Sequence, residues 1–171
     1  FTAQLWPRNQ QLAKWSSYPM SGKMKKSGLI EQLQTLLGKE GLLTGADDLL
    51  YFSNDVYRSG GTPLAIAKPE SSEQVQETVR LCAAAGVAMV PRGGGASYTD
   101  GYLYPAGGHV LLDLSALDDI KIDAANLLVT VGAGTTWAKL KETLDAKNLR
   151  TPFWGPFSGL ASLRTVNRGR R

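Results

Sequence analysis

Two short apolar runs, each stopped by a proline, bracket a single amphipathic stretch. The first is Leu64-Ala65-Ile66-Ala67 ahead of Pro69, and the second is Val87-Ala88-Met89-Val90 ahead of Pro91. Continuous apolar runs of this length, bounded by breakers, read as buried strands. Between them, Ser71 or Ser72 is placed to cap a helix that carries Glu73 in its first turn, Val75, Val79 and Cys82 on one face, and Gly86 at its close. Strand, helix and strand at this spacing make a βαβ unit, so the two strands are expected to run parallel.

The flanking sequence supplies further elements. Ser27 can cap a helix reaching about Leu37, with Leu29, Ile30, Leu33, Leu36 and Leu37 at helical spacing and Gly38 as its C′ residue. A second short helix is expected over Asp47–Phe52, with acids in its first turn. His109–Leu114 and Leu127–Val131 read as strands, while Asp118-Asp119 and Asp123–Asn126 read as turns. Thr135 or Thr136 caps a last helix with Trp137, Leu140 and Leu144 on one face, ending near Asn148. The predicted fold class is α+β: a small, mostly parallel sheet flanked by helices, with an added antiparallel strand.

Composition narrows the function. At 171 residues the chain is about one domain. One Cys excludes a disulfide framework, and one His with one Cys excludes a Cys/His zinc site. The most continuous apolar stretch, Leu81–Val90, is far short of the ~20 residues that span a bilayer. With no apolar signal segment at its start, the default compartment is the cytoplasm. The 19 bases outnumber 15 acids, but Arg8, Lys14, Lys23, Lys25 and Lys26 near the start and Arg164, Arg168, Arg170 and Arg171 at the end account for the excess. Residues 27–163 hold 10 bases and 15 acids. A nucleic-acid module carries its basic face on the folded part, so nucleic acid is not the expected partner. Residues 1–23 show no sustained period and read as poorly ordered or foreign to the domain.

The chemistry concentrates in Arg92-Gly93-Gly94-Gly95-Ala96-Ser97-Tyr98-Thr99-Asp100-Gly101, immediately after the second strand of the βαβ unit. Three consecutive glycines remove every Cβ, so backbone N–H groups can close on an anion. Ser97 adds a hydroxyl and Arg92 a positive charge, a set suited to a pyrophosphate. Ligands of open α/β sheets gather at such strand ends. A second glycine segment, Gly132-Ala133-Gly134-Thr135-Thr136-Trp137, also joins a strand to a helix. It lacks the third glycine and the downstream acid of a dinucleotide fingerprint, and it reads as a tight structural turn. His109 and Cys82 read as structural residues, and Asp118 and Asp119 as turn residues rather than an acid/base pair.

Pro91-Arg92-Gly93-Gly94-Gly95-Ala96-Ser97-Tyr98 resembles the flavin pyrophosphate loop of the FAD-linked oxidase family, named for vanillyl-alcohol oxidase and p-cresol methylhydroxylase. Ala67–Val75, Val110–Leu117 and Val129–Gly134 with Trp137 and Leu140 resemble other ordered segments of the same family. Tyr51–Asp55 resembles a stretch that precedes the domain in the glycolate oxidase and D-lactate dehydrogenase branch. The resemblance covers about Leu29 to Ala161. It implies an FAD oxidoreductase acting on a hydroxy acid or similar alcohol. It places the flavin diphosphate against Pro91, Arg92, Gly93, Gly94, Gly95, Ala96, Ser97, Tyr98 and Gly101, with Pro156, Ser158 and Gly159 contributing from the later Pro/Gly-rich segment. Family members with a flavin-linking histidine often carry it where Ala96 stands, so the implied FAD is held noncovalently.

After Ala161 the chain departs from the family, which continues there into a second glycine-rich flavin loop; Ser162–Arg171 is basic and patternless. The expected organisation is therefore a basic, poorly ordered segment over 1–26, a helical segment over 27–59, a first flavin-binding lobe over 60–161 and a basic tail over 162–171. The family's second lobe and substrate cap supply the catalytic residues. A non-catalytic nucleotide-binding module is the alternative that keeps the loop, and a nucleic-acid binder acting through the basic ends is a more distant one. One lobe offers half of the flavin's burial, so this chain alone is expected to bind FAD weakly and turn nothing over.

Overall fold

The computed structural model describes residues 26–97 and 100–153. Its elements in chain order are α1 (Lys26–Gly41), β1 (Leu42–Leu43), α2 (Ala46–Phe52), β2 (Ala65–Ala67), α3 (Ser72–Ala84), β3 (Met89–Arg92), β4 (Val110–Asp113), β5 (Ile120–Asp123), β6 (Leu128–Val131) and α4 (Trp137–Asp145). Four strands form one sheet in the order β1-β2-β4-β3, and β5 and β6 form a separate antiparallel hairpin.

The expected βαβ unit is present, with one strand between its halves. Both β2 and β3 run parallel to β4, in the registers Ile66↔Leu111 and Val90↔Leu111. The added antiparallel strand is β1, pairing Leu42 with Ala67. All four residues of β4 are buried, as befits the central strand. Alternation then splits the side chains between two faces. Ala65, Ala67, Val110 and Leu112 join Leu29 and Leu33 of α1 and Leu81 and Cys82 of α3 in one apolar cluster. Ile66 and Leu111 face the other way, onto Tyr102, with Leu49, Phe52 and Val90 packed around them. Leu29, Leu33 and Leu42 thus pack on one face of the sheet, and Leu49 and Phe52 on the other.

Several boundaries differ from the sequence reading. The first helix starts at Lys26, so Ser27 lies within it; Gly38 (φ 74°) breaks it where expected, and a further turn reaches Gly41. Pro91 does not stop β3, which continues to Arg92. Because β3 is an edge strand, one side of it needs no ladder bond, and proline is tolerated there. Leu114 N–H still donates to the Arg92 carbonyl at 3.0 Å. In α3, Ser71 is the cap and accepts from Gln74 N–H. The buried stripe of α3 is Thr78, Leu81 and Cys82, whereas Val79 is exposed. The stretch between the two predicted turns is a strand, β5. Thr136 caps α4 by accepting from Lys139 N–H, and α4 ends at Asp145, three residues before Asn148 (φ 53°).

Candidate functional site: a glycine loop over a caged arginine

The sheet's pleat decides where Arg92 goes. Two residues beyond Val90 on β3, it shares Val90's face, the side that carries Tyr102 and Phe52. Its guanidinium carbon lies 4.7 Å from the Phe52 ring centre, 5.3 Å from Tyr102 and 6.0 Å from Tyr51. Cation–π contacts are worth about 0.5–2 kcal/mol, more as water is excluded. Three rings therefore fix a cation that would otherwise be a flexible surface side chain.

The glycine loop folds back over this cation. Gly95 has φ 75°, and a Cβ there would meet the Arg92 guanidinium at 2.2 Å. The Tyr102 hydroxyl donates to the Gly95 carbonyl at 2.9 Å, with the Asn54 carbonyl also in range at 3.1 Å. A trans peptide points its C=O and the following N–H in opposite directions, so the Ala96 N–H is turned away from Tyr102. Among the described residues, the half-buried amides of Gly93, Gly95 and Ala96 donate to no protein acceptor. Loop amides left open beside a guanidinium suit an anion. Burial raises the Tyr102 phenol above its usual pKa, despite the opposing Arg92 charge, so it stays a neutral donor.

The loop's ends are tied from outside. Ser97 Oγ accepts from Gly101 N–H at 2.9 Å, which clips the loop shut. Asp55, on the chain after α2, accepts from Tyr57 and Arg58 N–H through Oδ1 and from Asp100 N–H through Oδ2. Desolvation pushes this carboxyl's pKa up, but the three N–H bonds and the Arg58 charge outweigh it and hold it below the usual range. Arg58 pairs with Asp100 at 2.9 Å; with side chains 72% and 41% exposed, the pair adds no more than about 1 kcal/mol. Ala96 turns its methyl into the cluster of Trp137 with Ile120, Ile122, Val129 and Val131. A cleft of about 230 Å³ beside the loop is lined by Tyr51, Asn54, Asp55, Val56, Arg92, Gly95 and Tyr102. Closed ligand pockets run to about 300–1,000 Å³, so this cleft is one wall of a site and does not enclose a dinucleotide.

Of the residues singled out from sequence, Pro91 and Arg92 lie in β3 and Gly93–Ser97 and Gly101 in the loop. Tyr98, Pro156, Ser158 and Gly159 lie outside the described residues. The sequence pattern assigns no site role to Asp55, Phe52 or Asn54, some forty residues before the loop, or to Tyr102, which follows the loop but carries no motif signal. The second glycine segment is closed to ligands. Gly132 and Gly134 donate to the Asp119 and Leu117 carbonyls, and Cβ atoms there would meet backbone oxygens at 2.0 and 2.3 Å. Asp118 pairs with Lys139. Burial pushes the Cys82 thiol up to about 11, so it is no nucleophile. Among the described residues no His/Cys/Asp/Glu group has the geometry for a metal, and no helix is long and apolar enough to cross a membrane.

This fold is shared with solved flavoenzymes. p-Cresol methylhydroxylase with substrate bound superposes at a TM-score of 0.68 and 23% identity, over 80% of this chain and 28% of that one. Residues 63–160 match the family described as FAD binding domain, and the chain belongs to that family. The cofactor of the family is FAD. The D-2-hydroxyglutarate dehydrogenase of Stutzerimonas stutzeri is 30% identical over 131 residues, covering 75% of this chain and 28% of that protein. The glycolate oxidase subunit GlcD of Bacillus subtilis is 29% identical over 125 residues, covering 71% and 26%. The chain thus spans about a quarter of the length of these curated relatives.

Proposed function

We propose that residues 60–161 form the pyrophosphate-binding lobe for noncovalently held FAD in a cytoplasmic enzyme that oxidises a hydroxy acid or similar small alcohol, with residues 27–59 as a helical segment joined to it. The observation that carries the reading is that the Gly93, Gly95 and Ala96 amides have no acceptor among the described residues, in a loop packed at Gly95 on the caged Arg92 guanidinium. The names of two relatives, a 2-hydroxyglutarate dehydrogenase and a glycolate oxidase subunit, support the substrate class. The free, buried thiol of Cys82 suits a reducing compartment. When bound, FAD supplies the acceptor for a hydride.

The chain's own residues bind and orient. Amides of the glycine loop offer hydrogen bonds that strengthen when the acceptor is charged. Arg92 adds a fixed positive charge below them, so no side chain has to reorganise to meet the diphosphate. Ala96 presents a methyl group to the Trp137 cluster and no nucleophile, consistent with noncovalent binding. The groups that contact substrate belong, on this reading, to the part of such an enzyme that this chain does not cover.

Titration of the 171-residue chain with FAD, followed by flavin fluorescence, tests the reading. Saturable but weak binding is expected, with no flavin reduction by lactate or glycolate. Gly95→Ala should weaken binding about tenfold, because a left-handed φ costs an L-residue about 1–2 kcal/mol and the new methyl displaces Arg92. Absence of saturable binding, or equal affinity in the variant, contradicts the proposal. Tight binding or turnover would show that one lobe suffices.

A further inference from the structure

Asp55 ties the chain after α2 to the backbone at the far end of the glycine loop, beside the exposed Arg58–Asp100 ion pair. It accepts from Asp100 N–H at 3.2 Å across 45 residues, while Tyr57 and Arg58 N–H hold the same carboxylate at 2.8 and 2.7 Å. Asp100 itself adopts φ 55°, a left-handed conformation that an L-residue keeps where its surroundings hold it. Two further contacts lie along the same seam. Val56 N–H approaches the Ser97 carbonyl at 3.5 Å, and the Tyr102 hydroxyl joins Asn54 to Gly95. The 54–58 segment therefore meets the loop at Gly95, Ser97 and Asp100.

We infer that Asp55 is a positioning residue for flavin binding: its carboxylate fixes Asp100, the far end of the loop whose Gly93, Gly95 and Ala96 amides donate to no acceptor among the described residues. The inference rests on the proposed role of those amides, but the clasp itself has a readout of its own. The backbone N–H of Asp100 points at a carboxylate oxygen, so replacing that oxygen with an NH₂ group sets two donors against each other. Glu in place of Asp keeps the charge but adds a methylene, which moves the oxygens off at least one of three N–H groups. The geometry therefore separates charge from position.

The test uses the 171-residue chain as wild type, Asp55→Asn and Asp55→Glu. Hydrogen exchange of individual amides is read by NMR without ligand, and FAD affinity by fluorescence titration. The expected result for Asp55→Asn is exchange at Asp100 and Arg58 faster by about tenfold, with Leu111 and Leu112 in the central strand unchanged, and FAD affinity down by about tenfold. Asp55→Glu should restore neither fully. A purely structural role would instead accelerate Leu111 and Leu112 together with the loop. Unchanged exchange at Asp100, or uniform acceleration across the sheet, overturns the clasp. Faster loop exchange with unchanged FAD affinity overturns its link to flavin binding. If wild type itself fails to bind FAD, the flavin reading fails while the exchange data still decide the clasp.

Discussion

Gly95 and Arg92 occupy one volume between them, and each makes sense only with the other. The guanidinium fills the space a Cβ would take, and the absent Cβ lets the loop lie close above a fixed cation. The opposite economy holds at His109, whose ring is buried against Tyr104 with Nδ1 unpartnered among the described residues. Burial lowers its pKa below the ordinary 6.5. The unfolded chain then takes up a proton before the folded one does, so stability from this group is full above that ordinary value and falls as the pH drops below it. Stability therefore declines as the pH falls from about 6.5 toward the lowered folded value. Thermal melts of wild type from pH 7.5 to 5 should show this decline, and His109→Gln should flatten it. Parallel slopes in the two proteins would remove His109 as the cause.

At the level of elements, the strand-to-helix turn at 132–134 is a packing device. Its amides are used by the Asp119 and Leu117 carbonyls, and its Cα atoms press on the backbone of 114–118. Gly134→Ala would put a methyl 2.3 Å from the Leu114 carbonyl oxygen, and backbone cannot swing away as a side chain can. A loss of about 3 kcal/mol in urea unfolding is expected, with FAD affinity kept where the protein still folds. An unchanged midpoint would show that the turn has slack. Elements with long periodic signals were legible from sequence: α3, α4, β4 and the βαβ pairing all follow from spacing and breakers. The short ones were hidden for physical reasons. β1 has two residues, and β5 alternates over four residues flanked by aspartates, which read as turn formers. Pro91 looked like a stop because edge position is a property of the whole sheet. Thr78 displaced Val79 from the buried stripe because packing against α1 and the sheet, not residue polarity, sets the phase of α3.

For the molecule as a whole, a three-strand parallel core aims the end of β3 at a loop whose backbone is held from three directions: Arg92 below, Ala96 against the Trp137 hairpin cluster, and Asp55 at Asp100. The glycine triplet marks the loop in sequence, whereas Phe52, Asp55 and Trp137, which pack on it or tie its ends, lie far along the chain and meet it only through tertiary structure. Exposed Tyr51 and Val56 line the cleft beside the loop and leave an apolar wall open there. The central claim is that the Gly93, Gly95 and Ala96 amides hold the FAD diphosphate, and amide chemical shifts of ¹⁵N-labelled chain during titration with FAD test it most directly. The largest shifts are expected on those three amides, with Gly132 and Gly134 still and the pattern reproduced by ADP. Shifts centred on residues 132–134, or a glycine loop unmoved at saturation, would contradict it.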